Sequence, residues 1–249
     1  MFKALCLAAP LAVSALPALA FDPAAMTDAE RAAFRAEVRA YLIEQPQVLM
    51  EAIAELEKTQ QDMAAQADLA ALDKYGDAIY RDPASWVGGN PDGDITVVEF
   101  LDYRCGYCRK AWQDVEDLVK SDGNIRFVIK EFPILGEQSV VSSQFAIATR
   151  MVAGDEAYKR VHDALITLRG DATPESLVQL AEELGLDAPA ITAKMASPEV
   201  QAVIAANHEL ATALELSGTP AFVIDRTMVR GYVPLDGLRQ IVEGQRKDG

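Results

Sequence analysis

The sequence is short of the residues that build crosslinked or metal-stapled domains. It has 3 cysteines and 2 histidines in 249 residues, too few for a disulfide framework or a multi-ligand zinc module. Net positive charge is missing as well. Lys and Arg total 23 against 38 Asp and Glu, a formal charge of −15. The footprint of a nucleic-acid binder is therefore absent, and anionic membranes would repel the chain. Repeats and low-complexity runs are lacking, and Gly (15) and Pro (12) are at ordinary levels, which excludes collagen-like and wholly disordered chains. What is present is globular composition, 50% hydrophobic, at a length able to bury a real core.

Residues 1–20 carry Lys3 as their one charge, an apolar stretch from Leu5 to Leu16, and the small-x-small ending Ala18-Leu19-Ala20. That pattern predicts a secretory signal peptide. A membrane anchor competes, but the run is shorter than the ~20 residues a spanning helix needs, and Pro10 and Pro17 interrupt it. A lipoprotein through Cys6 is disfavoured, because Cys6 comes before any adequate apolar segment. With cleavage expected after Ala20, the mature chain keeps Cys105 and Cys108. In an oxidising compartment spare thiols are usually paired or avoided. Two cysteines kept two residues apart there point to reactivity.

After the leader comes a helical front end, residues 21–75. Thr27-Asp28-Ala29-Glu30 fits a capping box, and Phe34, Val38, Tyr41 and Leu42 follow at helical spacing. Gln45-Pro46 then breaks or restarts the helix. A second helix is expected from about residue 47 to about residue 73. Leu42, Leu49, Leu56 and Met63 recur every seven residues, although Thr59, Gln60 and Gln66 make a poor coiled-coil seam. Two readings stay open: an amphipathic helix packed on its own domain, or a protruding oligomerisation stalk that makes the protein a homo-oligomer.

Residues 76–249 have a different character. Trp86 to Asp94 reads as a turn-rich approach. Ile95–Leu101 is β-branched and apolar, as a buried central strand should be. Arg109–Lys120 is an amphipathic helix on Ala111, Val115, Leu118 and Val119, and Ile125–Ile129 is the next strand. A helical block from about 139 to 216 follows, broken near Gly154, Gly170–Pro174, Gly185 and Ser197-Pro198. Ala221–Ile224 and Thr227–Val229 read as a closing strand pair, and Leu235–Glu243 as a last helix. The order is β–α–β, helices, β–β–α. An α/β chain of thioredoxin-like fold has that order when helices are inserted after its second core strand.

The chemistry is expected at Cys105-Gly106-Tyr107-Cys108. At a strand-to-helix junction the first sulfur meets the unpaired N–H groups and positive dipole end of the helix, which favour a thiolate. Cys105 is then the attacking sulfur and Cys108, one turn on, the resolving thiol. A zinc knuckle uses the same spacing but needs about four ligands, and only His162 and His208 remain, both on helical patterns far down the chain. A purely structural disulfide would close so short a loop that it would stabilise little. The expectation is no metal and no cofactor beyond the Cys105–Cys108 disulfide itself. Copper(I), which thiolates favour, is the competing use of the same pair.

Val98-Glu99-Phe100-Leu101-Asp102-Tyr103-Arg104-Cys105-Gly106-Tyr107-Cys108 resembles the active-site segment of the DsbA family of exported thiol–disulfide oxidoreductases. Gly218-Thr219-Pro220-Ala221-Phe222 resembles that family's loop before the third core strand. The resemblance implies a cis Pro220 facing the sulfur, with Thr219 backbone groups free to pair with a client strand. It implies that Glu99, six residues before Cys105, is a buried acid that shuttles protons to and from Cys108. Lys130-Glu131-Phe132-Pro133 resembles a segment near the same site. The family's best-known oxidants carry Pro-His between the cysteines. Gly106-Tyr107 instead implies a less extreme oxidant, because that dipeptide tunes the thiolate. The stretch Phe34 to Met50 is similar to the start of ScsC-type proteins, a branch of the family associated with copper tolerance, several of which oligomerise through this region and isomerise disulfides. The implied partners are unfolded or misfolded exported proteins and a membrane redox partner, in the periplasm.

Overall fold

A computed structural model of the chain describes residues 25–248. The expected leader and its cleavage site lie outside the described residues. The chain divides into two compact units at Gln60/Gln61.

In the first unit, helix α1 spans Asp28–Glu44. Its first turn is closed by the capping box: Glu30 N–H donates to Thr27 Oγ1 at 3.3 Å, and Thr27 N–H to Glu30 Oε2 at 2.8 Å, which satisfies two otherwise orphaned donors. Gln45 ends the helix, its N–H bonded to Tyr41 O at 2.8 Å, and Pro46 opens helix α2 (Pro46–Tyr80), where its fixed φ and missing N–H are tolerated. No described residue of this unit is buried.

The second unit is built on a five-stranded sheet: β1 (Trp86–Gly89), β2 (Ile95–Leu101), β3 (Ile125–Glu131), β4 (Ala221–Ile224) and β5 (Thr227–Arg230). The spatial order is β1-β3-β2-β4-β5. Strands β2 and β3 run parallel, joined by helix α3 (Gly106–Asp122), and the other pairs are antiparallel. Helices α4 (Glu137–Ala153), α5 (Asp155–Thr167), α6 (Pro174–Glu183), α7 (Ala188–Met195) and α8 (Pro198–Ala213) form the insertion, and α9 (Leu235–Asp248) closes the chain. This is the α/β thioredoxin-like architecture with inserted helices, preceded by an N-terminal helical segment.

Alternation along β2 sorts side chains between two cores. Val98 and Phe100 enter one core with Leu72 and Ile79 of α2 and with Val128, Val223 and Leu210. Val97 and Leu101 enter the other, with Ala111, Val115 and Leu118 of α3, Leu238 of α9, and both cysteines. Glu99 shares the parity of Val97 and Leu101, so it points to the α3 side.

Two expectations are corrected. The second helix runs to Tyr80, not to about residue 73. Leu72 and Ile79 are 2% and 0% exposed, so burial on the sheet extends a helix whose pattern thins out. The segment expected as turns contains β1, an edge strand paired with β3 from Trp86↔Ile129 to Gly89↔Arg126. It was unreadable because Gly88-Gly89 carries no side-chain alternation. Gly89 sits at φ +67, where a Cβ would lie 2.3 Å from Ile125 O, so this close approach needs glycine.

Candidate active site

Strand β2 delivers the chain to Asp102, whose carboxylate is fully buried. It accepts three backbone N–H bonds: from Arg104 at 2.8 Å, Ile134 at 2.8 Å and Leu135 at 3.0 Å. The first is an Asx-turn that bends the chain out of the sheet, and the other two tie that bend to the loop after β3. Cys105 N–H donates to Asp102 O at 3.0 Å, and Cys105 becomes the N-cap of α3, with extended φ −73 and ψ 121. Cys108, one turn in, is 1% exposed.

Both cysteines are free thiols, and their environments pull them apart. The Cys105 pKa is lowered to about 5. The leading cause is a hydrogen bond from the Cys108 thiol. Burial opposes it, and the Thr219 side chain and the N–H groups of Cys108 and Tyr107 reinforce it. Cys108 is driven far above the usual thiol range by burial first, then by its bond to Cys105, then by the Glu99 charge. At neutral pH the pair is one thiolate and one thiol, which sets which sulfur attacks.

Thr219-Pro220 is a cis peptide. In its protonated form Cys105 donates to Thr219 O at 3.2 Å, and in its thiolate form the buried Thr219 hydroxyl is the donor that favours it. Glu99 is 4% exposed. Its pKa rises to about 8 through desolvation, then through the charges of Glu116 and Cys105. A buried carboxyl that is mostly protonated at pH 7 and close enough to feel the Cys105 thiolate is able to carry a proton. The structure thus brings Cys105, Cys108, Glu99, Thr219 and Pro220 to one end of the sheet. Gly106 and Tyr107 are exposed, and the Tyr107 ring stacks on Tyr232 with centroids 6.4 Å apart.

The two histidines stay apart from the cysteines. His162 is buried beside the Tyr103 hydroxyl at 3.2 Å, its pKa lowered to about 3 by burial. His208 Nε2 lies 3.1 Å from Pro133 O. No group of three or more His, Cys, Asp or Glu side chains is placed to hold a metal among the described residues. Copper(I) would find two thiols only, one of them deeply buried and strongly protonated.

Sequence reasoning missed Asp102, although Asp two residues before a strand-exit arginine is an Asx-turn signal. It also left Lys130 and Glu131 without partners. Lys130 Nζ donates at 2.9 Å to both Asp82 Oδ2 and Ser85 Oγ. The Tyr158 hydroxyl donates to Glu131 Oε1 at 2.5 Å, and Asn207 Nδ2 to Glu131 O at 3.0 Å. These buried bonds hold the end of β3, and hence the loop bonded to Asp102. Nothing local in the sequence names such partners.

Paired thiols of opposed acidity at a helix N-terminus of a thioredoxin fold define a thiol–disulfide oxidoreductase. The chain matches the DSBA-like thioredoxin domain over residues 96–243 and the copper resistance protein ScsC N-terminal domain over residues 30–62. It belongs to the DsbA-like thioredoxin family. It is similar to a thioredoxin-like oxidoreductase from Silicibacter pomeroyi DSS-3, with 42% identity, 69% of this chain and 97% of that one covered, and a TM-score of 0.65. It is also similar to Proteus mirabilis ScsC in a transitional conformation (28% identity, 92% and 100% covered, TM-score 0.66). A periplasmic thioredoxin-like protein from Salmonella enterica serovar Typhimurium matches at 28% identity, with 68% and 94% covered and a TM-score of 0.60. Among curated proteins, it is 30% identical over 157 residues to the Na(+)/H(+) antiporter NhaA 1 of Salinispora arenicola (strain CNS-205). The chain spans about a quarter of that relative's length, 24%. No helix among the described residues is long and apolar enough to cross a membrane.

Proposed function

We propose that this protein forms or isomerises disulfides in exported proteins of the periplasm through Cys105 and Cys108. The observation that carries the reading is the opposition of the two thiols, with Cys105 lowered to about 5 and Cys108 raised by burial. In the isomerising direction, the Cys105 thiolate attacks a client disulfide, a Cys105–client bond forms, and the client's other sulfur leaves as thiolate. If the mixed disulfide stalls, Cys108 gives its proton to the ionised fraction of Glu99, which grows as pH rises towards 8, and attacks Cys105, releasing the client reduced. In the oxidising direction a client thiolate attacks Cys105 of the disulfide. Cys108 leaves and takes a proton from Glu99. A second client thiolate then displaces Cys105, whose low pKa makes it a good leaving group. A membrane redox partner returns the pair to its working state. The Thr219 backbone beside the cis Pro220 is the edge on which a client strand docks.

The exposed apolar side chains of the first unit support self-association through the N-terminal helices, the feature that favours isomerase over oxidase. Copper(I) binding by the same cysteines is the competing reading, and the burial that keeps Cys108 protonated favours it less. The test is exchange on a client with scrambled disulfides. Cys108→Ala is expected to trap mixed disulfides on a non-reducing gel, and Cys105→Ala to lose all turnover. Full activity in Cys105→Ala overturns the reading. Tight equimolar copper binding with no turnover in the wild type replaces it with the copper reading.

A further inference from the structure

Tyr232 takes no part in the exchange steps, yet it is tied to both halves of the site. Strand β5 ends at Arg230, and Gly231, at φ +106, turns the chain there, a conformation that favours glycine. The Gly231 N–H donates to Pro220 O at 3.0 Å, so Tyr232 starts out from the cis-proline loop. Its half-buried ring then lies along the first turns of α3. It stacks on Tyr107 at an interplanar angle of 27° and carries the Lys110 ammonium 4.3 Å over its face. Its hydroxyl donates to Asp114 Oδ2 at 2.8 Å. Tyr107, Lys110 and Asp114 follow one another at helical spacing, so one face of α3 holds the ring by its side, its face and its tip. The two halves joined in this way supply the groups that favour the Cys105 thiolate. The N–H groups of Tyr107 and Cys108 come from the first turn of α3, and Thr219 comes from the cis-proline loop, its O 3.2 Å from Cys105 Sγ. Fixed donors stabilise a charge far better than mobile ones. The Tyr107 side chain is 64% exposed, so the Tyr232 ring, and not the core, steadies it.

We propose that Tyr232 is a positioning residue for thiol–disulfide exchange, a strap that ties the first turns of α3 to the cis-proline loop and keeps Cys105 between its donors. This deepens the proposed function and rests on it.

The test is the pH profile of Cys105 alkylation by iodoacetamide in the reduced full-length protein and in its Tyr232→Ala and Tyr232→Phe variants. Cys108, Glu99, Arg109 and Thr219, the other groups that act on or respond to Cys105, are the same in all three. Tyr232→Ala is expected to raise the midpoint by about half to one pH unit, a loss of about three- to tenfold in thiolate below the midpoint. Tyr232→Phe keeps the ring against Tyr107 and Lys110 and is expected to move the midpoint less than half as far. A midpoint unchanged in Tyr232→Ala, or moved as far by Phe as by Ala, overturns the strap and leaves disulfide exchange standing. If Tyr232→Ala does not fold, Tyr107→Ala decides, since it cuts the same contact at an exposed ring and should raise the midpoint too. A wild-type midpoint near the ordinary thiol value sinks both readings.

Discussion

Helices α1 and α3 are both 17 residues long and both carry apolar residues at helical spacing, yet they spend them differently. In α3, Ala111, Val115 and Leu118 are at most 2% exposed. In the first unit, Val38, Leu42, Leu49, Ile53 and Leu56 are 37–56% exposed. Periodicity announces a helix in each case but not what covers it. Where the stripe meets a sheet it anchors the cysteine-bearing turn. In the N-terminal helices it is left to something beyond the chain's own described core, and the reading proposed above is a second copy. On this comparison the reactive sulfurs belong wholly to the second unit, and assembly is the role proposed above for the first.

The largest effect expected on either side of that division is Cys105→Ala, which should bring exchange below about a thousandth of wild type, followed with any dithiol client. Second is the pH response of the same sulfur. Alkylation of Cys105 by iodoacetamide should be nearly flat from pH 9 to pH 6 and fall about tenfold per pH unit below its pKa of about 5. A midpoint near the ordinary thiol value would mean that the second unit does not activate Cys105.

Asp102→Ala should cost about 2–4 kcal/mol in denaturant unfolding, because three buried N–H groups lose their acceptor. Glu99→Gln tests the buried acid by sign. The folded pKa of about 8 lies above the ordinary glutamate value of 4.5, so the stability linked to this group is fully present below about pH 4.5 and lost as pH rises towards 8. The variant should therefore gain on wild type, by a few kcal/mol, between unfolding curves measured at pH 4.5 and pH 8. Its release of trapped client should also lose the acceleration with rising pH that an ionised Glu99 provides. The smallest effect on the chemistry is expected from Leu49→Glu in the first unit. Exchange on a small dithiol and unfolding of the second unit should change by less than about 0.5 kcal/mol, while the mass in solution by light scattering drops to that of one chain. A wild-type mass already equal to one chain would remove the stalk and favour the oxidase direction.

Much of the fold was legible because its signals are local. Thr27 and Glu30 state their cap within one turn, and Gly154, Pro174, Gly185 and Pro198 stand at or beside the helix breaks they predict. Cys105 and Cys108 declare themselves by spacing. The strand at Trp86–Gly89 was illegible because edge pairing with β3, and not side-chain pattern, makes it a strand. The bond from Ile134 to Asp102 and the Lys130–Asp82 pair were illegible for a related reason, since the partners lie 32 and 48 residues apart.

By itself the sequence determined the elements, the reactive pair and the order in which strands and helices follow one another, because backbone preference and side-chain spacing act over a few residues. Only the tertiary structure decided the acidities. It set Cys105 against Thr219, 114 residues on, buried Glu99 where its charge acts on Cys108, and left Arg109 with a buried donor and no partner. Charge and proton affinity depend on what surrounds a group in space, and folding brings those surroundings together from distant parts of the chain.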